Sequence, residues 1–79
     1  MDSYTLLFTY LGEEIAQEHV ALGERVVEEF GFYKTMADNH GLYSDQAARA
    51  QAEYEVARTR LAVFENHFLN KARTMRAAS

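Results

Sequence analysis

The sequence predicts an all-α fold: an antiparallel two-helix hairpin that pairs into a dimeric four-helix bundle. Three observations carry this expectation. The 79 residues contain no proline, and Ala, Glu, Gln, Leu and Arg recur in long runs, a strongly helix-forming composition. The first half repeats its apolar residues every 11 positions, and the second half every seven. Between them lies a short segment with glycine and serine in the positions that end one helix and start the next.

Helix 1 is expected over about residues 4–39. Phe8, Leu11, Ile15, then His19, Leu22, Val26, then Phe30, Tyr33, Ala37 repeat the spacings 3, 4 and 4. Eleven residues in three turns keep the stripe nearly straight along an α-helix. A second stripe of small residues runs beside it through Thr9, Gly12, Ala16, Val20, Gly23 and Val27. The apolar sector is therefore wide enough for more than one neighbouring helix. Glycine inside a helix costs about 1 kcal/mol relative to alanine. Close helix approach would offset that cost at Gly12 and Gly23, whereas Gly31 is a candidate kink or early end. Residues 4–10 also have strand-like composition, rich in Tyr, Thr and Phe, but a lone strand lacks a partner.

The turn is expected at residues 40–44. Gly41 suits a left-handed residue after the helix end, with Leu42 folding back on the last turn. Ser44 suits an N-cap, and Asp45 suits the positive helix start. Helix 2 is expected over about residues 45–77, with a seam of Ala47, Ala50, Tyr54, Ala57, Leu61, Phe64, Phe68, Lys71 and Met75. Lys71 alone breaks that seam. A short connection makes the two helices antiparallel neighbours, so residues whose numbers sum to about 83 should meet. That register sets Tyr33 against Ala50, Val26 against Ala57, Leu22 against Leu61 and Ile15 against Phe68. It also places Glu13 and Glu14 near Lys71 and Arg73.

The whole chain, residues 1–79, is read as a single domain. It carries a net charge of −4, unevenly divided: residues 1–40 hold eight acids against Arg25 and Lys34, and residues 41–79 hold six bases against four acids. Two helices of opposite sign lying together account for this pattern. There is no cysteine, which excludes disulfides, thiolate metal sites and a cysteine nucleophile. With no apolar run approaching 18 residues and no basic leader, a soluble cytoplasmic protein without a membrane span is expected.

Nothing in the sequence carries a strong chemical motif, and no enzyme activity, catalytic residue, cofactor or metal is expected. The helical carboxylate-metal pattern needs Glu three residues before His, yet the residues three before His19, His40 and His67 are Ala16, Ala37 and Phe64. His19 reads as a partly buried histidine in a packed position. Glycine-rich phosphate loops and nucleophile elbows are absent. Glu13-Glu14 and Glu28-Glu29 sit on a face expected to be solvated.

Three resemblances bear on function. Met36 to Leu42, followed by Ala47 and Ala50, partly resembles a helix-turn-helix core, which would imply a DNA-binding regulator. His40 departs from that pattern at an apolar position, and the would-be recognition helix Ser44–Ala52 carries only one arginine. Nucleic acid is accordingly not expected as a partner of this acidic chain. Two-helix secretion substrates with a Trp-x-Gly turn share the shape, but this chain has no tryptophan and its turn reads Asn39-His40-Gly41. In size, acidity and lack of cysteine the whole chain resembles the small inhibitors encoded by bacteriophages, such as anti-CRISPR and anti-quorum-sensing proteins. That resemblance rests on no motif. It implies a non-catalytic binder that occupies the surface of a host bacterial protein. A structural component forming larger helical oligomers is the other reading of the same surplus apolar surface.

The surplus is divided by expectation into two sets. Ala16, Val20, Gly23, Val27, Val56 and Val63 are assigned to a homodimer interface. Phe30, Phe32, Tyr33 and Tyr43, around the turn, are assigned to a second protein partner, aromatics being the usual anchors of such surfaces. Tyr10 and Leu69 are also left over from the seam.

Overall fold

A computed structural model describes all 79 residues. The chain is entirely helical: α1 spans Ser3–Leu11, α2 spans Glu13–His40, α3 spans Asp45–Phe64, and a π-helical segment, Glu65–Leu69, leads into α4, Asn70–Ala78. Backbone angles stay right-handed helical at both ends of the π segment, so α3 and α4 form one continuous rod.

The single helix expected over residues 4–39 is broken at Gly12. Its φ of 99° and ψ of 169° lie in a region essentially restricted to glycine. The Gly12 N–H donates to the carbonyls of both Leu7 and Phe8 at 3.1 Å, closing α1. Upstream, Asp2 caps α1 by accepting from the Thr5 backbone N–H at 2.8 Å. That hydrogen bond holds the Asp2 carboxyl below its ordinary range. The cap is therefore complete above the usual carboxylate pKa and is lost as pH falls through the lowered value. Residues 4–10 are helical and not a strand.

The break lets α1 fold back onto the far end of the long helices. Leu6 and Leu7 from α1 meet Ala16 of α2, Phe64, Leu69 of the π segment, and Ala72 of α4 in the one contiguous core. Tyr10, Leu11, Ile15, Leu22 and Phe68 pack around it. The Gln17 side-chain amide donates to the Tyr4 hydroxyl at 3.0 Å, fixing the start of α1 beside α2.

Where α1 is missing, toward the turn, only Ala47, Ala50 and Ala57 are buried. There α2 and α3 lie side by side. Phe30 packs its ring against Tyr54 at 5.3 Å; farther from the turn, beside the start of α1, His19 meets Glu65 of the π segment at 2.8 Å. The numbers of each pair sum to 84. Ser44 caps α3 as expected, accepting from the Ala47 N–H at 3.1 Å while its hydroxyl donates to the Gly41 carbonyl at 2.7 Å. Gly41 has the positive φ of 98° anticipated, but its ψ of 147° is extended, and Leu42 projects outward and does not fold back.

The π turn corrects the second seam. One extra residue in that turn shifts the inward face by one position, so Leu69 and Ala72 are buried while Lys71 and Met75 are exposed. Phe68 and Leu69 can then serve two neighbours, α2 and α1. The shift also removes Lys71 from the side where pairing with Glu13 and Glu14 was expected. No such ion pair forms, and Arg73 donates instead to Asn70.

Gly31 neither kinks nor ends α2, which continues to His40, and a Cβ built at Gly31 meets nothing within 4 Å. Gly31→Ala is therefore expected to stabilise the fold by about 1 kcal/mol, read as a raised urea midpoint at unchanged slope. A lowered midpoint would show that the open space is occupied.

Candidate interaction surfaces

The molecule is a rod of 52 × 17 × 16 Å with a radius of gyration of 16.0 Å, against about 12 Å for a compact domain of this length. Its accessible surface of 5543 Å² exceeds the roughly 4,900 Å² of a compact monomer of its mass. The excess comes from the half of the rod that α1 does not reach.

Three surface grooves lie along it. The first, about 720 Å³, continues the path of α1 beyond its N-terminus; Tyr4, Val20, Gly23, Val27 and Leu61 line it, with Glu24 and Glu28 at its edge. The second, about 570 Å³, lies between α2 and α3 without any α1 residue. Leu22, Val63, Phe64 and Phe68 form its floor, with Glu18 and Arg60 beside them. The third, about 230 Å³, lies nearer the turn and holds Phe32 and Met36 opposite Arg49, Ala50 and Glu53.

The residues assigned to a dimer interface are thus distributed, not gathered. Val20, Gly23 and Val27 share the first groove, with Val27 at 72% exposure. Val63, 63% exposed, lines the second, while Val56, 44% exposed, precedes it by two helical turns on the same side of α3. Ala16 is withdrawn from the surface altogether, because α1 covers it and it is fully buried in the chain's own core. Leu69, left over in the sequence, is likewise core, and Tyr10 packs at the core's edge.

The aromatics around the turn are divided too. Phe30 leans on Tyr54, and Tyr33 is half-buried. Phe32 points to the third groove, away from both. Tyr43 stands 97% exposed at the loop tip next to exposed Leu42. The segment compared with a helix-turn-helix ends one long helix and begins another that packs back along it. In that motif the two helices instead cross at about 90–120°.

The titratable groups form no chemical cluster. His19 is hydrogen-bonded to Glu65 and stacked on Phe64 with ring centres 5.6 Å apart. His67 lies edge-on to Phe68 and lines the second groove. No group of three or more His, Cys, Asp or Glu converges anywhere. No helix is long and apolar enough to cross a membrane. Against known protein families, curated proteins and solved structures, the chain gives no match.

Proposed function

We propose that this chain is a small non-catalytic binding module that inhibits or regulates a partner protein by occupying its surface. In this reading it acts as a helical hairpin paired into a four-helix homodimer. The observation that carries the reading is the loop tip. Tyr43 is exposed across 97% of its surface on a connection pinned by the Ser44 and Gly41 hydrogen bonds. A rigid loop that presents an aromatic ring beside exposed Leu42 loses little entropy on binding, and such rings anchor protein interfaces. Phe30 and Tyr33 lie farther along α2, about 16 and 12 Å before Gly41, and serve as secondary contacts. Phe32 faces elsewhere and is not part of this surface. The likeness to phage-encoded inhibitors makes a host bacterial protein the target to be sought.

Immobilised protein in bacterial lysate is expected to retain a specific partner. Tyr43→Ser is expected to lower retention at least about tenfold while leaving the circular dichroism spectrum unchanged. Retention equal to that of the parent chain would remove the loop tip from the binding surface.

A further inference from the structure

The second and third grooves lie on the same side of the α2–α3 layer, the side α1 leaves uncovered. On α2 that side presents Glu18, Leu22, Arg25, Glu29, Phe32 and Met36, spaced alternately by four and three residues. On α3 it presents Arg49, Glu53, Val56, Arg60, Val63 and, beyond them, His67, again at spacings of four and three. Both are the spacings of a helix-pairing seam, yet both carry charges of alternating sign.

Reversed on a copy of itself, each seam brings together one favourable set of side chains, apolar on α2 and charged on α3. Laid antiparallel on a copy of itself, the α2 seam sets Leu22 against Phe32 about a centre at residue 27, and brings Arg25 and Glu29, already paired within the chain at 2.9 Å, beside their counterparts. The α3 seam sets Glu53 against Arg60 about a centre between residues 56 and 57, with Val56 beside its own counterpart. The two centres are independent features of two helices. They nevertheless fall opposite one another, because contacts between α2 and α3 join residues whose numbers sum to 83 or 84, as in His19–Phe64 and Phe30–Tyr54. A single two-fold axis therefore satisfies both helices at once, as an isologous contact requires.

We infer that this face pairs with a second copy of the chain in an antiparallel, two-fold dimer centred on Val56, with α2 over α2 and α3 over α3. The inference rests on the dimeric reading above and specifies its geometry. Exposed Phe32 of each copy then enters the other's second groove beside Leu22, which provides a cavity for it. Glu53 and Arg60 form no ion pair within one chain and stand seven residues, about 10 Å, apart along their helix. Across the axis each gains an opposite charge, twice per dimer. The parallel alternative sets Arg25 against Arg60 and Phe32 against Glu53, which charge and polarity both disfavour. The two seams, residues 18–36 and 49–67, each run about 27 Å along the 52 Å rod. The other side of the layer cannot approach a copy as closely, because α1 stands on it. Val20, Gly23 and Val27 are thereby left out of the dimer.

Sedimentation equilibrium of the full chain tests the charges. Glu53→Arg and Arg60→Glu should each weaken dimerisation at least about tenfold, and the double variant should restore it. All these side chains are exposed, so circular dichroism should be unchanged. A parent chain that stays monomeric overturns both this geometry and the dimeric reading. A dimeric parent indifferent to the single reversals, or a double variant that is not restored, overturns the geometry alone. The lack of native cysteine allows a second test by mild oxidation. Val56→Cys, on the axis, should cross-link to a covalent dimer, and Val27→Cys, more exposed but on the other side, should not. Equal cross-linking of the two, or cross-linking at residue 27 alone, would also overturn the geometry.

Discussion

Phe64→Ala is expected to destabilise the fold by about 3–5 kcal/mol, the range for removing a buried aromatic ring. Phe64 is 6% exposed and is the side chain on which three elements converge. It stacks on His19 of α2, contacts Phe68 of the π segment at 4.7 Å between ring centres, and belongs to the core that α1 closes. A domain of this length has only about 4–12 kcal/mol of stability in all, so the variant should be largely unfolded or close to it. Urea denaturation followed by circular dichroism measures the effect. A loss below about 1 kcal/mol would mean that the ring is not enclosed in solution.

Leu7→Ala should cost about 2–5 kcal/mol, but in a different manner. Leu7 is the one large side chain fully enclosed by the fold, and it reaches that place on a nine-residue helix held by a one-residue joint. Its loss should release α1 before the long helices separate, since local opening follows elements with few contacts of their own. Hydrogen exchange should then show protection lost in residues 3–11 and largely kept in the Ala47–Ala57 stretch. Protection lost evenly along the chain would show that α1 and the α2–α3 layer fold as one unit.

The helical class was legible because it depends on local properties: no proline, strong helix formers and two clean periodicities. The cap at Ser44 was legible for the same reason. The break at Gly12 was not, because the 11-residue stripe runs straight through it and glycine also suits a close helix contact. A signal was present nonetheless: Glu13-Glu14 directly after Gly12 is the acidic first turn of a new helix. The π turn is tertiary in origin, arising because the last helix must face two neighbours at once. Its trace in the sequence was Lys71, the one charged residue in an otherwise apolar seam, which a shift of one position exchanges for Ala72. Of the candidate surfaces, periodicity located the exposed residues but could not say which share a side. Ala16 and Val20 sit four apart on one stripe, and α1 covers only the first. Phe30 and Phe32 are neighbours in sequence and face different directions.

The π turn also determines where the gene can change length. Everything after residue 69 is held in phase by one supernumerary residue, so a single-codon insertion there would not merely lengthen a helix. It would rotate α4 by about 100°, turning Ala72 outward and bringing the Lys71 stem against Leu6 and Leu7. An insertion in the loop around Tyr43 would leave every downstream side chain facing as before. Two frame-preserving lesions of equal size would thus act on this chain in unlike ways, one altering what it can touch and the other whether its core can close.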